Sequence, residues 1–330
     1  MAGLRGDQVA LYTKDMYKAT REAYEEETSI YPQVYKVKSG DDVTGAGHKE
    51  TQILGAGDLA RHTSEGQDVI FKSPIQGWEF FVKYWTFSDG ISLSKEAVED
   101  TVKLGNLLKE LASTWGRSTR VQKETFGARV FNNGGNLLGD FTLNGSHTNQ
   151  TDSSGDLLYD SEPLFNLTGN TRLTKGGGAY YNAIAATTIT PANFETLYNL
   201  LTATNNRDER DRVIRSSVDT AMTQPGVDAF AMRRIVETKP EQGEPGGQLN
   251  DSNVYYGIIK KHIIWDYLTD GGWYLGKCQH PDFQWHERQM PEIRMFRDEN
   301  NLGYKASINC RWGVFIKNWR CWGRANGTYA

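Results

Sequence analysis

Residues 78–131 decide the fold: an aromatic run WEFFVKYWTF (78–87), a polar turn SDGISLSKEAVED (88–100), then VKLGNLLKELASTWGRSTRVQKETFGARVF (102–131). The first piece, rich in aromatic and β-branched residues, predicts a strand. In the third, Leu104, Leu107, Leu108, Leu111, Trp115, Phe126 and Val130 recur in steps of three and four, so they share one face of a helix. This apolar stripe fades between Ser118 and Gln122. Leu93, Ser94, Glu96 and Ala97 predict a helix start capped by Ser94, and Asn132-Asn133-Gly134-Gly135 predicts its end. A helix over these residues spans about 45 Å, longer than most. A strong strand feeding so long a helix frames a large, extended α+β molecule. An ordinary core helix of an α+β enzyme fits the same stretch.

The 330 residues suffice for one large or two medium domains. With 38% hydrophobic and 24% charged residues the chain reads as globular. A net charge of −4 argues against bulk coating of nucleic acid. Thirty-four glycines imply many turns, and nine tryptophans imply broad packed or interfacial surfaces. No segment reads as a membrane span or a signal-peptide core, so no membrane partner is expected. Cys278, Cys310 and Cys321 are far apart and odd in number, which predicts free thiols. Without a CxxC pair no zinc site is expected, and the four N-x-S/T sequons at Asn144, Asn149, Asn166 and Asn326 mark polar loops.

Residues 1–50 read as an arm: an amphipathic helix carrying Tyr12, Met16, Ala19 and Ala23, an extended YPQVYKVK (31–38), and a loop. Residues 51–87 read as a protruding two-stranded loop around a polar SEGQD tip. Such a ribbon is marginal alone in water. This front quarter cannot cover its own aromatics, so cover is expected from a neighbouring copy in preference to the chain's own body. Tyr12, Tyr17, Tyr31, Tyr35, Phe71, Trp78, Phe80 and Tyr84 are the candidate inter-subunit contacts. Gly176-Gly177-Gly178 suggests a phosphate cradle, but no Lys-Ser/Thr follows it. Thr190-Pro191 opens a helix with Phe194, Leu197, Tyr198 and Leu201 on one face. VYYGIIKKHIIWDYL (254–268) and WYLGKC (273–278) read as strands, and RDENNLG (297–303) as the turn of a hairpin. Residues 301–330 hold five Lys/Arg and no acid. Arg311, Lys317, Arg320 and Arg324 are therefore candidates to face DNA.

No nucleophile, acid/base or nucleotide motif appears. His280, Asp282, His286 and Glu287 crowd HPDFQWHE (280–287), but their spacing fits neither one helical face nor a strict zinc set. A metal-dependent hydrolase built there is the enzymatic alternative, and a glycan-binding module suggested by the tryptophans is a third reading.

The order of these parts resembles the major capsid proteins of tailed bacteriophages, the Johnson or Hong Kong 97-type fold, and among them the Mu-like head subunits. The matching segments are FSDGISLSKEAVEDTV (87–102), RVQKETFGARVFNNG (120–134), SSGDLLYDSEPLF (153–165), ITPANFETLYNLLTA (189–203), IIWDYLTDGGWYLGKC (263–278) and RQMPEIRMFRDENNLGYKASINCRWGVFI (288–316). They cover most of residues 80–316, each loosely, in the family's order. Residues 215–253 match the family's buried strand weakly. No long N-terminal scaffolding extension is seen, which implies a separate scaffold or none.

The resemblance implies an α+β capsid fold: N-terminal arm (1–50), extended β-hairpin loop (51–87), peripheral domain with a long spine helix (88–183), axial domain (184–284), and closing strands with a C-terminal tail (285–330). It implies a structural, non-enzymatic subunit without cofactor or metal. Copies would assemble into pentamers and hexamers of an icosahedral head in the host cytoplasm, as a virion component enclosing double-stranded DNA. Portal, scaffold and decoration proteins would be further partners. Gly45, Gly47, Gly55 and Gly57 are expected hinges. Some members of the fold link a loop lysine to a neighbour's asparagine; Lys72 lies in this loop, but no local pattern identifies a partner.

Overall fold

The computed structural model describes residues 6–54, 65, 68–69, 71, 75–94, 104–135, 163–169, 171–174, 176–238, 253, 255–297 and 303–326, with backbone only at 6–8, 51–54 and 75–82. The frame is a four-stranded sheet crossed by one long helix. The sheet runs in the order β1 (Tyr35–Ser39), β11 (His280–Arg297), β12 (Tyr304–Ile316), β4 (Trp85–Leu93). β11 and β12 form the hairpin expected around residues 297–303, and β4 pairs antiparallel with β12 from Tyr304↔Leu93 to Trp312↔Trp85. Tyr304, Ala306, Ile308 and Cys310 are buried while the residues between them are half-buried, the period-2 signature of a sheet covered on one face. From Trp312 to Ile316 every residue is buried, because both faces are covered there.

The spine helix, α3, runs from Leu104 to Asn132 and packs across this sheet. Its predicted stripe is buried at Leu104, Leu108, Trp115, Phe126 and Val130, whereas Leu107 is 39% exposed. Where the stripe fades, the inward positions are Thr119, Arg120, Lys123 and Glu124, all buried. The expected start at Ser94 lies outside the described residues beyond Ser94 itself. The end falls at Asn132, as the Asn-Gly run predicts.

The arm corrects the expectation that a neighbour covers it. Helix α1 (Gly6–Glu25) lies along α3 of its own chain. Met16 joins Leu104, Leu108, Ala112, Trp115, Ile293 and Ile308 in one cluster, with Val9, Tyr12 and Ala19 against it. The approach is close because Gly116 has no side chain: a Cβ there would sit 2.3 Å from the Thr20 carbonyl oxygen. Thr20 Oγ1 donates to the Ala112 carbonyl at 2.9 Å across the same crossing. The extended reading of 31–38 also fails at its start, since Tyr31–Val34 is a helical turn, α2. Pro32 fits a first helical turn, where its missing N–H costs nothing, and the strand begins at Tyr35, parallel to β11.

Within the two-stranded loop expected over 51–87, β2 (Gly47–Leu54) pairs antiparallel with β3 (Ile75–Lys83), from Gly47↔Lys83 to Leu54↔Ile75. β2 begins inside the expected arm loop, and the single strand expected over 78–87 is divided, because Trp85–Phe87 continue through the expected polar turn to Leu93 as β4 of the first sheet. Gly45 lies just before β2 in left-handed backbone, φ 78°, a conformation glycine adopts without strain.

A second sheet of five strands runs β7 (Ala183–Ile184), β13 (Trp322–Ala325), β10 (Trp273–Gly276), β8 (Thr220–Thr223), β9 (Lys261–Ile264). Helices α4 (Pro191–Asn199) and α5 (Val227–Val236) cover it, burying Phe194, Leu197, Met232, Trp273 and Leu275 together. The α4 start is as predicted: Thr190 accepts from the Asn193 N–H at 3.3 Å. Of the strand expected over 254–268 only Lys261–Ile264 forms. Gly257 at φ 80° and the Asn253 carboxamide, accepting from the Tyr255 N–H, turn the chain before it. Residues 322–325, in the stretch read as closing strands and C-terminal tail (285–330), pair with β10 and β7 in the second sheet.

Candidate assembly surfaces and a buried polar seam

At the point where the apolar stripe of α3 lapses, the spine helix is joined to the arm and to β11 by charge. Lys123 Nζ lies 2.8 Å from Glu287 Oε1, and both side chains are 2% exposed. The ammonium also faces the rings of Tyr24, Tyr31 and Trp312, with centroids 5.0, 5.9 and 5.4 Å away, so the site supplies negative ring faces where water is excluded. Trp285 Nε1 donates to Glu287 Oε2 at 3.0 Å. The next residue, Glu124, accepts from the Ile30 and Tyr31 N–H groups at 2.6 and 3.2 Å and from Trp265 Nε1 at 2.6 Å. Its carboxylate caps the first turn of α2, the end of a helix that favours an anion. Burial raises the Glu124 pKa, and these three donors oppose the rise. Arg120 donates to the Ala23 carbonyl and pairs with Glu27 at 2.9 Å. One turn and a half of α3 thus fixes the path of the arm.

The foot of the ribbon is anchored separately. Tyr84 Oη lies 2.9 Å from His286 Nδ1, and His286 Nε2 lies 2.8 Å from Gln284 Oε1. His48, on β2, packs edge-on against His286 and Phe315 with centroids 4.8 and 4.6 Å away. Burial, with the nearby His48 and Lys38 charges, drives the His286 pKa down to about 3. Glu50 of β2 pairs with Lys317.

These contacts revise the candidate residues. Tyr31, Tyr35 and Tyr84 are 5%, 0% and 2% exposed, so they are core residues and present no surface to a neighbour. Tyr35 stacks on Phe283 and donates to the Gly127 carbonyl. Tyr12 is half-buried beside Gly105. Tyr17 is half exposed and Phe71 is 93% exposed, which keeps both available for contact. Trp78 and Phe80 lie on β3, their side chains outside the described residues, as do Lys72, Gly55 and Gly57. Tyr17, Tyr24, Val37, Met290 and Pro291 line a groove of about 550 Å³ between α1 and the sheet.

The DNA-facing set is largely spent within the chain. Lys317 pairs with Glu50, Arg320 with Glu209 at 3.0 Å, and Arg324 with Asp270 at 2.7 Å; Arg311 is half-buried on β12. Acids far off in sequence neutralise what reads locally as a basic tail. The glycine cradle is also filled from within: Asp211 Oδ2 accepts from the Gly178 N–H at 3.1 Å, and Oδ1 from Thr174 Oγ1 at 2.6 Å. The hydrolase set does not converge, because His286 engages Tyr84 and Gln284 while Glu287 engages Lys123. His280 lies six residues of strand, about 20 Å, from His286. Seven of the nine tryptophans are at most 5% exposed, so most of the residues that suggested a glycan site belong to the core.

No family model and no curated protein matches the chain. Its structure is similar to the capsid structure of the cyanophage P-SCSP1u, with TM-score 0.53 and 8% identity over 92% of this chain and 89% of that one. It is similar also to a solved structure of Mycobacterium phage Patience, with TM-score 0.50 and 11% identity over 100% and 92%. The fold is the Hong Kong 97-type capsid fold that the sequence segments resemble.

Proposed function

We propose that this chain is the wall-forming subunit of a tailed-phage-type head, assembling through many copies of itself around packaged double-stranded DNA. The observation that carries the reading is the ribbon: a two-stranded sheet hung from the body at its foot, on a chain whose fold occurs in a cyanophage capsid. An isolated ribbon of this kind is marginal in water, and Phe71 at its outer end is almost wholly exposed. The groove beside α1 offers apolar surface at Met290 and Val37, 61% and 42% exposed. Each contact between copies is modest, but a subunit held by one contact meets the next at high effective concentration. Contacts between unlike faces close into rings and shells.

In this reading the two sheets are the peripheral and axial domains, the latter meeting its symmetry mates at five- and six-fold axes. Portal, scaffold and decoration proteins are the further partners, the virion is the destination, and the Mu-like placement rests on the sequence segments. With Lys317, Arg320 and Arg324 engaged internally, contact with DNA is weak and local. The test is electron microscopy and sedimentation of the purified chain: capsomers or shells are expected, and a monomer at all concentrations and salts refutes the proposal.

A further inference from the structure

The last turn before β13 brings Cys321 back to the first residues of β11. Cys321 Sγ lies 3.1 Å from His280 Nδ1, and His280 Nδ1 lies 3.8 Å from Asp282 Oδ2. All three ligand atoms fall within 4.8 Å of one another. A tetrahedral zinc ion with Zn–N and Zn–O near 2.0–2.1 Å and Zn–S near 2.3 Å has donor-to-donor edges of about 3.3–3.7 Å, the scale of this cluster. The Asp282 N–H points at His280 Nδ1 from 3.2 Å, so Nδ1 carries a lone pair and the ring proton sits on Nε2. A sulfur, an imidazole nitrogen and a carboxylate oxygen are together a donor set for a borderline-soft divalent ion.

The surroundings are built. Gln279 takes φ 50°, rare outside glycine, and its N–H bonds the Val34 carbonyl at 2.8 Å; this kink sets the position of His280. Asp282 is held by its carbonyl, which accepts from the Lys317 N–H at 2.8 Å. Cys321 is fixed by its own carbonyl, which accepts from the Lys277 N–H at 3.1 Å. A cavity of about 140 Å³ lined by His280, Cys321, Asn205, Asn206 and Asn318 opens beside the cluster, room for a water as fourth ligand. Lys277 and Arg320 also line it. Arg320 is already paired with Glu209, and a divalent ion bound by one thiolate and one carboxylate makes a site of zero net charge, so these cations face no net positive centre.

We propose that His280, Asp282 and Cys321 form a structural binding site for a zinc-like divalent cation. Binding displaces the Cys321 thiol proton to solvent, takes the His280 Nδ1 lone pair from the Asp282 N–H, whose bond it otherwise accepts, and forms S–metal, N–metal and O–metal bonds, with no change in oxidation state. The ion ties the start of β11 in the first sheet to the segment entering β13 in the second, and so stiffens the junction between them.

The test uses the full chain stripped of metal and titrated with Co²⁺ under reducing conditions. One equivalent is expected to give a thiolate-to-cobalt band in the near ultraviolet with tetrahedral ligand-field bands, displaced by Zn²⁺, and Zn²⁺ should raise the melting temperature. Cys321→Ser and His280→Gln should each abolish the thiolate band; Cys278→Ser should leave it unchanged. His280 is partly exposed, so its variant is expected to keep the fold by circular dichroism should the buried Cys321 variant fail to. The proposal is overturned if folded wild-type chain gives no thiolate band, or if the band survives in His280→Gln.

Discussion

Replacing Lys123 by Met tests whether the seam holds the arm to the body by charge. Met fills the same channel without the ammonium, so packing against Tyr24, Tyr31 and Trp312 changes little. What changes is Glu287, left 2% exposed with Trp285 Nε1 as its remaining donor. Breaking a buried pair from one side costs about 3–5 kcal/mol. Lys123→Met should therefore lose roughly 3–5 kcal/mol. The double variant Lys123→Met/Glu287→Gln should recover most of the loss, since Gln still accepts from Trp285. Guanidinium unfolding of unassembled subunits, followed by tryptophan fluorescence, measures all three; assembled material would add the stability of its contacts. A single variant within about 1 kcal/mol of wild type, or a double variant no better than the single, would refute the reasoning.

Gly116→Val should lift α1 off the spine helix, because its Cβ would meet the Thr20 carbonyl oxygen at 2.3 Å; limited proteolysis should then release the first 25–30 residues while the body persists, and an uncut arm would contradict the close crossing. The His286 pKa, about 3 in the folded chain against about 6.5 unfolded, makes the unfolded state the better proton binder between these values. Stability should be full above pH 7 and fall as the pH drops through this window, by at most about 5 kcal/mol, and His286→Gln should flatten that part of the profile. Joining Leu54 to Ile75 by a two-residue turn removes the outer ribbon at a register where the strands already pair; the body should fold with unchanged near-ultraviolet dichroism and fail to form particles by electron microscopy. Asp211→Ala should free the Gly176–Gly178 loop, read as faster amide exchange at Gly178 with little change in the melting temperature.

What was legible in the sequence was periodic. The spine helix, the ribbon strands, the β11–β12 hairpin and the Thr190 cap each repeat or punctuate at a spacing that the backbone imposes. What escaped was cover and neutralisation, which are set by residues distant in sequence. The arm reads as uncovered because its partner, Gly116, is a missing side chain a hundred residues later. Tyr31 and Tyr35 look like contact residues until Trp285 and Phe283 are brought to them. The basic tail loses its charge to Glu50, Glu209 and Asp270. A spacing of cysteine pairs along the chain gives no sign of the cluster, which joins one cysteine to a histidine 41 positions earlier. Lys123 and Glu124 interrupt an apolar stripe, and that interruption was the one signal of the seam.

The strand order of the second sheet makes its completion depend on nearly the last described residues. Strand β13, residues 322–325, lies inside that sheet between β7 and β10, and Trp322 and Ala325 are fully buried. The sheet is therefore unfinished until synthesis has passed residue 325. A chain cut short before residue 322 lacks this inner strand and leaves β10, with Trp273, Tyr274 and Leu275, without its partner on that side.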